Sequence, residues 1–350
     1  MHARIHRHLL LFAALVLAVP CSAELPTLNV DKIRDDSSGG SFTVAQTVVL
    51  EGRKTFLKSI RGSQRGTRYA CFESDILARD IFDELGIRCP RSRMIRIEAT
   101  RETTRMVGNV VLAMEFVDTR FAGGPVFIGF WPGARDAAVD EFLRVALVDL
   151  IIGNADRRDA NFFVFVPYKA WDGKKGKPGS YRPIPIDNNC GFGTMVNWKV
   201  PTSQTNFFPS YDGLGSAEFF KDLGTIRNIA MDSPVLTFTL GDAALRPRML
   251  ELARQLPVQL TDAFMQKAVA ALPREIIPHG VKVDPTEFAS RLPKDVPAEM
   301  LYGSVTRPLS GQELFEHRKQ ELLRVFSWRR DHLFEALEKY FGENPPTPRD

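Results

Sequence analysis

Leu150-Ile151-Ile152-Gly153-Asn154-Ala155-Asp156-Arg157-Arg158-Asp159-Ala160-Asn161-Phe162-Phe163-Val164-Phe165 is answered downstream by Ile184-Pro185-Ile186-Asp187-Asn188-Asn189-Cys190-Gly191-Phe192-Gly193. Polar side chains with oxygen acceptors stand at the ends of strongly apolar segments. Asp136 to Ile152 carries apolar residues at Val139, Phe142, Leu143, Ala146, Leu147 and Leu150, the spacing of a helix. Asn161 to Val166 and Tyr181 to Ile186 read as short strands joined by a Lys/Gly loop from Lys169 to Ser180. Asp156, Asn161 and Asp187 can then meet at one point. Converging oxygen ligands suit a hard cation, most often Mg²⁺ held together with a phosphate-bearing substrate.

Asp and Asn are also ordinary turn and cap residues, and an Asp/Asn pair five apart arises readily by chance. The ordered series is far more specific: helix, Gly-Asn-x-Asp-Arg, Asn, strand, hairpin, strand, Asp-Asn, Gly-Phe-Gly. In phosphoryl transfer an Asp orients the incoming hydroxyl, a nearby Asn holds a metal ion, and a second Asp holds the metal that bridges the phosphates.

On these two motifs the chain resembles the atypical branch of the protein-kinase-like superfamily. That branch includes the HipA-like kinases, actin-fragmin kinase, the phosphatidylinositol 3/4-kinases, the secretory-pathway casein kinases and the CotH-type kinases. The resemblance implies Asp156 as catalytic residue and Asn161 and Asp187 as metal ligands. Two positions depart from the pattern: Arg158 stands where His is usual, and Asn189 where Gly is usual. Neither removes an expected ligand. The resemblance covers most of residues 37 to 195, and its specific part is the two motifs.

The first third reads as strands with one helix. Phe42 to Leu50 and Lys54 to Ile60 are strands around a Glu51-Gly52-Arg53 turn; Pro90 to Glu98 and Met106 to Val117 are two more. Tyr69 to Leu85 is a helix, with Leu77, Ile81 and Leu85 recurring every four residues and Gly86 as its stop. Lys58 shares a strand face with Phe56 and Ile60. A buried lysine is costly unless paired. Glu73, one turn before Leu77 on the inward face, is the expected partner, and kinases use such a Lys–Glu pair to position phosphates. Lys58 and Glu73 therefore join Asp156 as catalytic residues.

Two glycine stretches compete to offer backbone N–H groups to phosphates: Ser37 to Ser41, and Arg61 to Gly66. Gly39 and Gly40 are favoured. Neither stretch is a Walker pattern. By position alone, Met114, Glu115, Phe116 and Val117 form the linker whose backbone would meet an adenine ring.

Composition agrees with a folded protein: 350 residues, 44% hydrophobic and 25% charged. The N-terminus reads as a secretory signal, with a basic start (Arg4, Arg7), an apolar run from Leu9 to Val19, and small residues Cys21-Ser22-Ala23 for cleavage. Without residues 1–23 the chain has 44 basic and 42 acidic residues, a net +2. That near-neutral balance gives no support to a nucleic-acid partner, and no later segment is long and apolar enough to span a membrane. Cys71, Cys89 and Cys190 then remain, an odd number that excludes a complete disulfide framework; Cys71 and Cys89 flank the helix and could pair or stay free. His279, His317 and His332 lie far down the chain, so a zinc site is not expected.

From Phe121 to Arg135 a Gly/Pro/aromatic loop is expected. Beyond Ala243 the pattern is helical: Ala243 to Gln255, Thr261 to Ala271, Pro285 to Arg291, and Gln312 to Phe341. The expected fold is α+β, two-lobed and protein-kinase-like. Residues 1–23 are the signal, 24–117 a strand-rich N-lobe with one helix, 118–343 a mainly helical C-lobe, and 344–350 a disordered tail.

The expected activity is an exported ATP-dependent kinase using Mg²⁺ or Mn²⁺. It would transfer the γ-phosphate to a hydroxyl acceptor, for which a protein is favoured over a lipid or a small molecule. ATP is scarce outside the cytoplasm. A nucleotide-binding pseudokinase therefore remains an open alternative, and so does a nucleotidyl transferase, because the same residues would hold the nucleotide.

Overall fold

A computed structural model describes residues 24–33, 43–60, 72–98, 109–117, 122–123, 127–154, 157, 161–165, 182–188, 237, 240–276, 282–283 and 309–344. The architecture is α+β, strand-rich in the first third and mainly helical after it. The main sheet has six strands: β1 (Thr27–Leu28), β2 (Val30–Ile33), β3 (Thr43–Leu50), β4 (Arg53–Ile60), β5 (Ser92–Ile97) and β6 (Val110–Glu115), in the order β1-β5-β6-β4-β3-β2. Helix α1 (Phe72–Glu84) connects β4 to β5. All pairings are antiparallel except β1 with β5. The β1 and β2 strands are additions to the expected list. Charged Asp31 and Lys32 interrupt their apolar pattern, which is why residues 24–41 read as merely polar.

The β3–β4 connection is a two-residue turn in which Glu51 (φ 50°) and Gly52 (φ 71°) both lie in the left-handed region. That conformation matches the twist of a tight hairpin. Register then places Lys58 opposite Ala45 and Leu112, and Phe56 opposite Thr47 and Met114. Directly opposed residues share a sheet face. Phe56, Leu112 and Met114 on that face pack with the helices, whereas Val48, Leu50, Leu57, Ile95, Ile97, Val111 and Ala113 form a second cluster on the other.

Helix α2 (Phe127–Ile152) is the centre of the helical part. From Phe142 to Ile152 every residue but Arg144 is buried, which explains a sequence that is apolar nearly all round. The helix begins earlier than expected, within the Gly/Pro/aromatic stretch, and is kinked at Ala138. Glycine and proline lower helix propensity, but tertiary packing can override that preference. A second, three-stranded sheet orders β7 (Ala122–Gly123), β8 (Phe162–Phe165) and β9 (Arg182–Pro185).

Helices α3 (Arg246–Gln259) and α4 (Asp262–Ala270) follow, with a short β10–β11 pair (Lys282–Val283, Leu309–Ser310) and the long α5 (Gly311–Glu343). The α5 helix packs on α2, α3 and α4. Its adjacent arginines serve two helix ends. Arg329 donates to the Ile151 carbonyl at 3.0 Å, and Arg330 donates to the Leu260 carbonyl at 2.7 Å. Cations near helix C-termini offset the carbonyl dipoles there. The expected helix from Pro285 to Arg291 lies outside the described residues, as do residues 1–23 and 345–350. Among the described residues no helix is long and apolar enough to cross a membrane.

Candidate active site

The first turn of α1 is the meeting point. Glu73, Ser74 and Asp75 are successive and all buried, and between them they bond three other parts of the chain: Arg318, Lys58 and Asn188. Asp75 Oδ2 accepts from Lys58 Nζ at 3.2 Å. Asp75 Oδ1 accepts from the Asn188 N–H at 2.7 Å, while Ser74 Oγ donates to the Asn188 carbonyl at 2.6 Å. This two-way clasp ties the helix to the segment after β9.

Lys58 is buried, as its apolar strand face requires, but its partner differs from the expected one. Its ammonium sits between Asp75 and Asp187, 2.7 Å from Asp187 Oδ1. Glu73 instead accepts from Arg318 Nε of α5 at 3.1 Å. Residues two apart project about 200° from each other around a helix, so Glu73 meets Arg318 of α5 while Asp75 meets Lys58 of β4. Burial of Phe72 through Ala78 on all sides hides the distinction from periodicity.

Two carboxylates around one ammonium leave a formal charge of −1. Burial acts to lower the Lys58 pKa, but Asp187 and Asp75 outweigh it and hold the group well above the usual lysine value. Burial pushes the Asp75 carboxyl up, against the pull of Lys58. Asp187 differs in being about 33% exposed, the open side of the cluster. Its backbone is left-handed (φ 53°), a conformation that Asp tolerates better than most residues.

The other half begins where α2 ends. Gly153 (φ 70°) takes the left-handed turn, and the Asn154 N–H reaches back to the Asp149 carbonyl at 2.8 Å. This is the bond of a Schellman stop, for which glycine is the favoured residue. Asn154 Nδ2 also donates to Asp149 Oδ1 at 3.3 Å. The Gly-Asn of the motif thus ends the helix and anchors the following loop.

Asp149 faces Arg157, and both are fully buried. Arg157 Nε and Nη2 meet the carboxylate at 3.0 and 2.9 Å. Burial pushes the Asp149 carboxyl up, against the pull of Arg157; the two-oxygen contact with the guanidinium supports the ionised pair. Arg157 stays charged for the same reason, since Asp149 overcomes the cost of burial.

Asn161 is buried, and its carbonyl accepts from the Ile186 N–H at 3.1 Å. That bond continues the β8–β9 ladder, in which Phe162 faces Pro185, and brings Asn161 beside the residue preceding Asp187. Asp156, Gly39 and Gly40 lie outside the described residues; the two glycines fall in the β2–β3 connection, and Arg61 to Gly66 in the connection from β4 to α1. Met114 is buried at the end of β6, and Glu115 is held by the Arg91 N–H at 3.3 Å. Phe116 carries the Lys54 ammonium 3.5 Å from its ring centroid. Cys89 is a buried free thiol that donates to the Pro185 carbonyl at 3.3 Å, and burial raises its pKa. Cys71 is outside the described residues.

Asp187 and Asn161 fit a magnesium ion in chemistry: one open carboxylate, one amide residue on the adjoining segment, and a net negative surround. Mg²⁺ keeps several waters and commonly takes its other oxygens from substrate phosphates. Among the described residues no group of three His, Cys, Asp or Glu could hold a metal ion.

Sequence reasoning missed Asp75, Asp149, Arg157, Asn188 and Arg318. A usable signal existed for Asp149, a lone carboxylate inside the apolar run from Leu147 to Ile152. Such a residue needs a buried cation, and the motif supplies one at Arg157.

No protein-family model matches the sequence, and no curated protein matches it. Among solved structures, the Helicobacter pylori proinflammatory kinase CtkA is similar with a TM-score of 0.46 at 11% identity, covering 91% of this chain and 99% of that one. The Rio2 kinase–ADP/Mg²⁺-phosphoaspartate complex from Chaetomium thermophilum has a TM-score of 0.30 at 15% identity, covering 65% and 71%. The Rio2 kinase from the same organism gives 0.30 at 18% identity, covering 58% of each chain.

Proposed function

We propose that the chain is an ATP-dependent phosphotransferase that moves the γ-phosphate to a hydroxyl acceptor, with a protein favoured as acceptor. The observation that carries this is the 2.7 Å contact between Lys58 Nζ and Asp187 Oδ1, which joins residues 129 positions apart. It sets a charged lysine of the sheet against the acid of the second motif, the pairing that phosphate binding and metal binding both need. Lys58 would grip phosphate oxygens, with Asp75 in the orienting role usually taken by a Glu. Asp187 and Asn161 would hold Mg²⁺ or Mn²⁺, which when bound supplies charge neutralisation at the phosphates. Asp156 would orient the acceptor hydroxyl. Met114 to Val117 would meet the adenine, and Gly39 and Gly40 would cover the phosphates. The chemistry is chiefly positioning and electrostatic stabilisation.

The basic start and apolar run of residues 1–23 support export as part of the same proposal. Incubation with γ-labelled ATP and Mn²⁺ or Mg²⁺, beside Asp156→Ala and Asp187→Ala, tests the reading. Transfer to a protein acceptor by wild type alone is the expected result. Binding without turnover would instead select a pseudokinase, and label from the α position on the acceptor a nucleotidyl transferase. No binding at all would remove the nucleotide from the account.

A further inference from the structure

Building on the phosphoryl-transfer reading, we propose that Arg157 is a positioning residue that sets the two metal ligands, Asn161 and Asp187, in register with each other. A guanidinium carries five N–H groups in a rigid planar fork. Here all five have acceptors. Nε donates to Asp149 Oδ2 at 3.0 Å, with Oδ1 at 3.3 Å, and Nη2 donates to Asp149 Oδ1 at 2.9 Å. The second Nη2 proton goes to Asn188 Oδ1. Nη1 donates to the Asn161 carbonyl at 2.8 Å and to the Ile186 carbonyl at 2.6 Å.

The choice of acceptors makes the case. One belongs to Asn161 itself; two others belong to Ile186 and Asn188, the residues on either side of Asp187. The fork therefore spans both ligand-bearing segments from one atom group that is wholly buried. Its far end is fixed by Asp149, at the tail of α2, where Arg329 and the Gly153 stop already hold the helix terminus.

The β8–β9 ladder alone does not do this. It pairs Phe162 with Pro185 and ends with the Ile186 N–H on the Asn161 carbonyl, one residue short of Asp187. Beyond that bond Asp187 turns into the left-handed region. Arg157 bridges the position where the ladder stops. A lysine could replace the charge facing Asp149 but has one nitrogen, so it cannot reach all of these acceptors.

The test separates ligand placement from folding. Mn²⁺ affinity is read from the free-ion electron paramagnetic resonance signal at a saturating non-hydrolysable ATP analogue. Metal-free affinity for the same analogue and the thermal midpoint are measured beside it. Arg157→Lys should weaken Mn²⁺ about 10–100-fold, the usual cost of losing an outer-shell partner, with metal-free nucleotide affinity little changed. Asn188→Ala, which removes one acceptor and keeps the Asp149 pair, should weaken Mn²⁺ by a smaller factor.

A folded Arg157→Lys with wild-type Mn²⁺ affinity overturns the inference. So does a loss that falls equally on Mn²⁺ and on metal-free nucleotide, because that marks a general structural role. Should Arg157→Lys not fold, Asn188→Ala decides: selective Mn²⁺ weakening supports the inference and an unchanged affinity overturns it. A wild type that binds no Mn²⁺ with nucleotide present overturns the phosphoryl-transfer reading itself, and the inference with it.

Discussion

Lys58 and Arg157 are both buried cations at the centre of this protein, yet they are built for different ends. Lys58 is a compact charge between two carboxylates, with an excess of negative charge and one partly exposed partner. Arg157 is a planar fork whose five N–H groups are all engaged, with acceptors drawn from three segments of the chain. In the proposed phosphotransferase, the first arrangement would exchange its contact with the partly exposed Asp187 for a phosphate. The second cannot give up a contact without leaving a buried acceptor unmet. The lysine node is where ligands would enter, and the arginine node is the frame that holds their binding groups.

The largest expected effect comes from breaking the frame. Arg157→Met leaves Asp149 buried with its counter-charge gone, and should cost about 3–5 kcal/mol of stability by chemical denaturation. Lys58→Met should cost less, about 1–3 kcal/mol, because Asp187 can hydrate and Asp75 is already inclined to take up a proton. Its effect on nucleotide binding should run the other way, with metal-free ATP-analogue affinity lost. Equal stability losses in the two variants would erase the distinction.

A third pair of variants sharpens the lysine node by separating two neighbouring acids. Glu73→Gln keeps an acceptor for Arg318 and should cost about 1 kcal/mol, with nucleotide affinity near wild type. Asp75→Asn should weaken nucleotide binding, because Lys58 then keeps one carboxylate instead of two. The reverse order of effects on nucleotide would restore Glu73 as the partner that Lys58 needs.

That exchange of acids marks how far the sequence could be read. The strands around Lys58, the helix after it and its Gly86 stop were legible because each follows a local rule: alternation, a four-residue stripe, a left-handed glycine. Burial of Lys58 was legible from its strand parity. Its partner was not, since Glu73 and Asp75 differ by about half a helical turn and both faces of that turn are buried. The same limit hid Arg318, 245 residues away in α5. Arg157 lay in plain view within the motif, but its five acceptors come from the end of α2, the start of β8 and both sides of Asp187. Only the folded chain brings those together. Residues 1–23, Asp156 and the Gly39-Gly40 stretch lie outside the described residues.

The smallest expected effect concerns acids whose surroundings act in opposite senses. Asp140 of α2 receives Arg248 of α3 at 2.9 Å, and that hydrogen bond holds its carboxyl below the usual aspartate range. A depressed carboxyl contributes stability that is present above the ordinary aspartate pKa and is lost as pH falls through the folded value. Asp75 is the opposite: burial raises it, so its contribution is present at low pH and fades as pH climbs through its folded value. Asp140→Asn should therefore remove an acid-side decline in stability, while Asp75→Asn should remove a decline on the other side. Both partners of the Asp140 pair are more than a third exposed, so its share should stay below about 1 kcal/mol. Urea midpoints across pH for the two variants measure the slopes directly. If both bend the curve the same way, burial does not govern Asp75, and the lysine node is wetter than its geometry implies.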